Sequence, residues 1–291
     1  MERDRKVAMR TGWLLLALML VGLSWPSGVS AQHRDRDWDA CRDLQNRENQ
    51  VRGCTAVLNR GHLETAERRA IAFRNRGNAH RHFQNIDAAI RDFTESVRLN
   101  PNDAFTFYFR GGAYMVRRDY DAAIQDFSQA IHIDPSEPGF YFSRGDAHSN
   151  RENLNAAIQD FTKVLRLSPS DVEALFARGS NYIRTNNFEQ AIRDFTQVIR
   201  LNPTDYLAFL ARGEAYHKLR NYEAAIRDFT QVIRLEPNYA EAFRLRGLVH
   251  RDRGNLRQAV VDLREAVRLG NVRAPRDLAQ VEAAQGQQRR N

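Results

Sequence analysis

Cys41 and Cys54 stand thirteen residues apart in a chain with no other cysteine. Two thiols admit three kinds of chemistry: a redox couple, part of a metal site, or a disulfide. Redox motifs put two residues between their cysteines and zinc sites use similarly short spacings, so twelve intervening residues suit neither. The histidines form no ligand set either, since His80 and His82 are two apart and fall on different faces of a helix. No G-x-S-x-G, Walker loop, H-E-x-x-H or G-x-G-x-x-G occurs after residue 31. The reading is of a non-enzyme with no cofactor and no metal.

The remaining candidates are charges, and their spacing is regular. Arginine recurs at Arg76, Arg110, Arg144, Arg178, Arg212 and Arg246, and aspartate at Asp92, Asp126, Asp160, Asp194, Asp228 and Asp262. Both series have a period of 34 residues. A buried charge needs a partner, so a ladder of Arg–Asp pairs is expected, the alternative being a charged track for a ligand.

The elements that hold these charges repeat with them. The phrase AIRDFTQVIRL occupies Ala191–Leu201 and again Ala225–Leu235. Gly77, Gly111, Gly145, Gly179, Gly213 and Gly247 keep the same interval. With each glycine counted as position 8, position 20 is always alanine and position 24 is Phe93, Phe127, Phe161, Phe195, Phe229 and Leu263. Position 32 is Pro101, Pro135, Pro169, Pro203 and Pro237, with Asn271 ending the series. Positions 4, 7, 8 and 11 make one helical stripe and 20, 23, 24 and 27 a second. Glycine at 8 facing alanine at 20 marks the expected close approach of the two helices, and proline at 32 stops the second. One such hairpin buries too little surface to offset a backbone entropy of about 1–2 kcal/mol per residue, so copies must stack.

This pattern resembles the tetratricopeptide repeat family, which has a large residue at 4, Gly at 8, Tyr at 11, Ala at 20, an aromatic at 24 and Pro at 32. Arginine at position 7 departs from the aliphatic residue usual there. The resemblance spans Ala70 to about Arg273 and implies an all-α, right-handed superhelical solenoid of 34-residue helix-turn-helix repeats. It also implies that positions 2, 5, 9 and 12 face a concave groove. That groove would present Arg74, Asn78 and Arg81, then Phe105, Tyr108 and Met115, then Phe142 and Asp146. Glu173, Phe176 and Ile183 follow, then Leu207, Leu210, Glu214 and His217, with Arg244 and Arg251 at the far end. An apolar, aromatic middle between arginine-bearing ends suits a peptide or amphipathic helix with apolar anchors. A terminal-carboxylate clamp, used by some members, is not supported, because Phe109, Gly139 and Ser143 stand where asparagine and bases belong. The function implied is a non-catalytic scaffold for a protein or peptide partner. The alternatives are a self-associating component of an envelope assembly and an accessory subunit of an envelope enzyme.

The ends differ from the middle. Residues 1–31 read as a signal peptide: Arg3, Arg5, Lys6 and Arg10 precede the apolar run Trp13–Leu23, and Val29-Ser30-Ala31 offers a cleavage site after Ala31. An uncleaved anchor is the rival, although eleven apolar residues are too few to span a bilayer. An exported protein, periplasmic or secreted, is expected, with no stable membrane span in the mature form. Residues 32–69 read as a degenerate first repeat: VRGCTAVLN aligned on IRDFTQVIR puts Cys54 at position 24 and Cys41 at position 11. These positions face each other in a regular repeat, and disulfides persist outside the cytosol, so a staple is expected. Residues 70–273 form six repeats, and 274–291 a capping helix and tail, with Ala274–Ala284 helical. The net charge of +8 is spread along the chain among 36 acids, a solvated surface rather than a nucleic-acid site.

Overall fold

The computed structural model describes residues 31–288 of the protein, and all but the last residue of the expected signal segment 1–31 lies outside them. Fifteen helices follow one another among the described residues: α1 (Ala31–Cys41), α2 (Arg47–Asn59), α3 (Ala66–His82), α4 (Ile86–Leu99), α5 (Ala104–Val116), α6 (Tyr120–Ile133), α7 (Pro138–Asn150), α8 (Leu154–Leu167), α9 (Val172–Arg184), α10 (Phe188–Leu201), α11 (Tyr206–Lys218), α12 (Tyr222–Leu235), α13 (Ala240–Asp252), α14 (Leu256–Arg268) and α15 (Ala274–Gln288). Each packs on its neighbours in sequence. Odd-numbered helices also touch their counterparts in the adjacent repeat, as α3 does α5 and α11 does α13, so they lie on the inner side of the curve.

Local chemistry sets the boundaries. Asn100, just before Pro101, leaves helical geometry at φ −138° and ψ 89°, as the ring of a following proline requires. Asp103, Asp171 and Asp205 then cap α5, α9 and α11, each carboxylate accepting a backbone N–H. The turn inside each of the six regular pairs, α3–α4 to α13–α14, passes through positive φ at position 15, occupied by Gln84, Arg118, Glu152, Asn186 and Arg220 and only in the last repeat by a glycine, Gly254.

Position 8 packs differently from the expectation. A Cβ on Gly77 would fall 2.8 Å from the Phe93 ring, and on Gly213 2.8 Å from that of Phe229. Glycine there makes room chiefly for the position-24 side chain; only at Gly247 does the position-20 residue also come close, with Ala259 O 3.3 Å from an added Cβ.

The ladder is present, and it reaches further than pairs. In all six repeats the arginine Nε and Nη2 donate to both oxygens of the same repeat's aspartate at 2.7–2.9 Å. The aspartates are only 2–6% exposed. The third nitrogen, Nη1, donates to a hydroxyl at position 25 of the preceding repeat: Thr55, Thr94, Ser128, Thr162, Thr196 or Thr230, at 3.0–3.2 Å. The guanidinium also lies over the position-4 ring, as Arg110 does over Phe107 at 5.6 Å. Where position 4 is Leu175, Arg178 uses Tyr182 instead, at 5.9 Å. Each arginine thus closes its own hairpin and stitches it to the one before.

At the amino end, Cys41 and Cys54 form the expected disulfide, with Cα atoms 4.4 Å apart. The close approach has moved to the other helix: a Cβ on Gly53 would lie 2.5 Å from Cys41 N. Trp38 holds position 8, where Arg68 covers its ring at 5.0 Å. Cys54 and Phe93, both at position 24, are 39 residues apart rather than 34, and the five extra residues do not simply lengthen a loop. They make a 3-10 turn at Gly61–Leu63 and an extra first turn of α3, which starts at Ala66 rather than Ala70. Buried Glu64 anchors the insertion: burial raises its carboxyl, but hydrogen bonds from Arg60 and Arg68 outweigh that and hold it below the usual range. At the carboxyl end, α15 extends the expected Ala274–Ala284 helix, and its Val281 is sealed against Leu256, Ala259, Val260 and Leu263 of α14.

Candidate functional site

The inner helices carry one cluster of aromatic rings and, further along, two separate aromatic pairs. Phe105 meets Phe140 edge-on at 5.5 Å, and Tyr108 sits 5.3 Å from Phe140 and 5.9 Å from Phe127. Further on, Phe142 meets Phe161 at 5.4 Å and Phe176 meets Phe195 at 5.3 Å, both edge-on. These side chains therefore serve partly as a second layer over the position-24 core. Leu210 and Ile183 likewise pack on the Phe229 and Phe195 clusters. Phe105 and Leu207 remain 47% and 43% exposed, and Glu173 is open to solvent.

The arginines at the two ends are mostly engaged by the chain itself. Arg74 binds Asp103 at 2.6 Å. Arg244 holds both oxygens of Glu241 and one of Asp277, and the Glu241 bonds raise its pKa further. Arg251 donates to Asp252 at 2.8 Å, and the other Asp252 oxygen lies 2.8 Å from His217 Nε2. Burial would raise Asp252, but those two bonds hold it below the usual carboxylate range. His217, Arg251 and Asp252 line an open cavity of about 530 Å³ with Lys218, Arg220 and Tyr222.

Arg81 is the exception, and it stands between two cavities. Its guanidinium lies 5.7 Å from the Phe109 ring centre. On one side is a polar cavity of about 550 Å³ that also borders Gln50, Asn75 and Asn78. Asn78 Oδ1 is buried there with no donor among the described residues. On the other side, Arg81, Tyr108, Met115 and Asp146 come together around a pocket of about 200 Å³, completed by Gly112, Phe127 and Ser143. Burial pushes the Asp146 carboxyl up, with no hydrogen bond offsetting it. Glu214 is pushed up by burial first and then by neighbouring Glu241.

Three residues of this pocket were not among the sequence candidates. Gly112 has no side chain to attract notice, although it holds position 9, which is expected to face a groove, and follows Gly111. Phe127 belongs to the core series, and Ser143 lies one step off the groove register. Glu241, which captures Arg244, was also not a candidate, although an acid three residues before a base on one helix is a signal that the sequence carries.

No group of histidine, cysteine, aspartate and glutamate among the described residues is arranged to hold a metal ion. No helix among them is long and apolar enough to cross a membrane. The position-11 histidines, His80, His148 and His250, each bury Nδ1 without a partner among the described residues, and burial lowers their pKa.

No curated protein matches the sequence. Among solved structures, the C-terminal part of a TPR repeat-containing protein from Cytophaga hutchinsonii superimposes with a TM-score of 0.69 at 17% identity, over 85% of this chain and 98% of that one. YrrB, described as a TPR protein with an unusual peptide-binding site, gives 0.59 at 20% identity over 66% and 96%. MamA gives 0.56 at 22% identity over 59% and 94%. At these identities the likeness is one of fold. A family model described as tetratricopeptide repeat matches residues 74–138, 176–240 and 210–274, and a second model of the same description matches 138–171. With most of its length so matched, and with helix pairs stacked at the same 34-residue interval, the chain belongs to the tetratricopeptide repeat family.

Proposed function

We propose that the protein is a non-catalytic scaffold that captures a peptide or helix of a partner protein along its inner helices. One observation carries this reading: the inner face keeps an uncovered aromatic surface, centred on Phe105, beside a side-chain-sized pocket. The arginines that would have made its ends electropositive are mostly neutralised by the chain's own acids. What is left for a partner is apolar area with a few polar groups, which suits apolar anchors rather than a polyanion. YrrB, with its described peptide-binding site, shares the fold, which supports the reading by analogy.

Export fits the same reading. The basic and apolar start of the sequence and the Cys41–Cys54 disulfide both support a protein that works outside the cytosol. We place the disulfide-bonded α1–α2 pair as an amino-terminal cap, residues 70–273 as the six binding repeats, and α15 as the closing cap. The test is co-isolation from the exported fraction after mild crosslinking, with crosslinked residues mapped by mass spectrometry. Foreign peptides joined near Phe105, Phe142 or Phe176 are expected, and their yield should fall in Phe105→Ala. Crosslinks only between copies of this chain, at the α1 and α15 ends, would overturn capture in favour of self-assembly.

A further inference from the structure

Gly112 breaks the rule that governs the other central glycines. Glycine inside a helix is unfavourable relative to alanine, and at position 8 the position-24 side chain demands it. At Gly112, in the middle of α5, an added Cβ would meet only Arg81 Nη1, at the ordinary contact distance of 3.5 Å. No packing requirement keeps a side chain out. What its absence leaves is the pocket of about 200 Å³.

The walls of that pocket are of two kinds. Tyr108, Met115 and Phe127 form an apolar floor, and Arg81 and Asp146 stand at the rim. We propose that this pocket is the anchor subsite of the inner groove, taking one leucine- or phenylalanine-sized side chain of an extended peptide whose backbone lies between Arg81 and Asp146. The inference rests on the peptide-capture reading above.

The occupant follows from the chemistry of the walls. A guanidinium only donates hydrogen bonds and a carboxylate only accepts them. Each peptide unit of an extended chain points its carbonyl to one side and its N–H to the other, so the peptide bond beside the anchor residue supplies an acceptor for Arg81 and a donor for Asp146. An acidic anchor would meet Asp146, and a basic one Arg81, so neither sign of charge is favoured. An uncharged side chain over an apolar floor meets no such conflict. The exposed Asp146 carboxylate gains a donor from the peptide. Phe105 lies one helical turn before Tyr108 and is 47% exposed, offering apolar area to a flanking residue of the same peptide.

The test uses the full chain to select binders from a random displayed-peptide library. Selected peptides are then resynthesised and titrated against wild type, Gly112→Leu, Gly112→Ala and Phe142→Ala. We expect a shared leucine, methionine or phenylalanine, and binding to Gly112→Leu weaker by roughly ten- to a hundredfold, the effect of withholding one buried apolar side chain. Replacing the shared residue by alanine should weaken binding to wild type as much, with little further loss in Gly112→Leu. That peptide-side comparison, together with Gly112→Ala, keeps the proposal open to refutation if the leucine variant folds poorly. Peptides that bind Gly112→Leu as tightly as wild type but lose affinity for Phe142→Ala would overturn the anchor and leave groove capture standing. A shared acidic or basic residue in place of the apolar one would overturn the occupant. A library that yields no binder would overturn both readings.

Discussion

Truncating Asp228 should cost far more than replacing the whole pair it belongs to. Its carboxylate is 5% exposed and receives two hydrogen bonds of 2.8 Å from Arg212. In Asp228→Ala the guanidinium stays in place with its side chain 16% exposed. A fully buried charge stripped of its partner costs about 3–5 kcal/mol. Arg212 keeps its bond to Thr196 at 3.0 Å and its contacts with the Phe209 and Tyr216 rings, so the expected loss is at the lower end, about 3 kcal/mol. Arg212→Leu strands a more deeply buried carboxylate and should cost at least as much. The double variant Arg212→Leu/Asp228→Leu removes both charges, and apolar replacement of a buried pair is commonly near neutral; it should fall within about 1–2 kcal/mol of wild type, the Thr196 bond included. Urea unfolding followed by circular dichroism gives the totals. Because repeats unfold as coupled neighbours rather than strictly as one unit, hydrogen exchange of α11 and α12 should localise the effect. A double variant as unstable as the two single losses added together would refute the argument that these charges act as a pair.

Four further outcomes follow from the same geometry. Cys54→Ser should lose about 3 kcal/mol in the loop-entropy model, with exchange protection falling in α1 and α2 while α5–α14 keep theirs; uniform loss along the chain would contradict the placement of this pair as a separable cap. Thr196→Val removes one hydrogen bond between repeats, so about 1 kcal/mol should be lost and the unfolding transition should broaden, whereas unchanged cooperativity would show that the stitch carries no coupling. Gln84→Gly and Arg118→Gly relieve a left-handed backbone that costs an ordinary residue about 1–2 kcal/mol, partly offset by the freer unfolded chain; a net gain of about 0.5–1 kcal/mol each is expected in the same melts, and a loss would refute the strain. Finally, burial lowers the pKa of His80, His148 and His250, so the unfolded chain binds their protons more readily and stability falls as pH drops below about 6.5. Replacing all three by tyrosine, which already fills position 11 at Tyr114, Tyr182 and Tyr216, should flatten urea midpoints between pH 7.5 and 5.5; equal slopes would refute the histidines as the source.

The parts of this molecule legible in its sequence are those that period alone determines. A 34-residue interval with glycine, alanine, phenylalanine and proline in register leaves stacked hairpins as the only economical burial, and Arg–Asp pairing follows from two charges on buried stripes. Reading stopped where contacts leave the single repeat. The hydroxyl series from Thr55 to Thr230 recurs as faithfully as the aspartates, but its partner lies in the next hairpin, so scanning one hairpin at a time does not find it. Helical stripes give faces, not which side chain leans across them, so the Phe93 and Phe229 rings against Gly77 and Gly213 are not legible from the period. Arg74 and Arg244 read as free cations since Asp103 lies 29 residues away and Asp277 33 residues away. The pocket at Gly112 was invisible for a simpler reason: it is made by a side chain that is not there.

The end repeats explain why the ladder is built through position 25. Every hairpin that is followed by an arginine at position 7 carries threonine or serine there, including the otherwise degenerate first one with Thr55. The last hairpin has no such follower, and position 25 becomes Arg264, which binds Glu282 of α15 at 2.7 Å instead. A hydroxyl kept only where a guanidinium awaits it is an inter-repeat device, not a helix preference, since threonine is a poor helix former. Apolar contacts between repeats tolerate sliding, because they are non-directional. A guanidinium locked to one carboxylate and one hydroxyl fixes both the angle and the offset of the next hairpin. The curvature of the inner face is therefore set before any partner arrives, and the walls of the Gly112 pocket, which come from successive hairpins, are held at a constant separation. A preformed groove spares a peptide the cost of ordering its receptor, so disrupting a single stitch remote from the pocket, such as Arg178 with Thr162, should weaken peptide binding without touching the peptide.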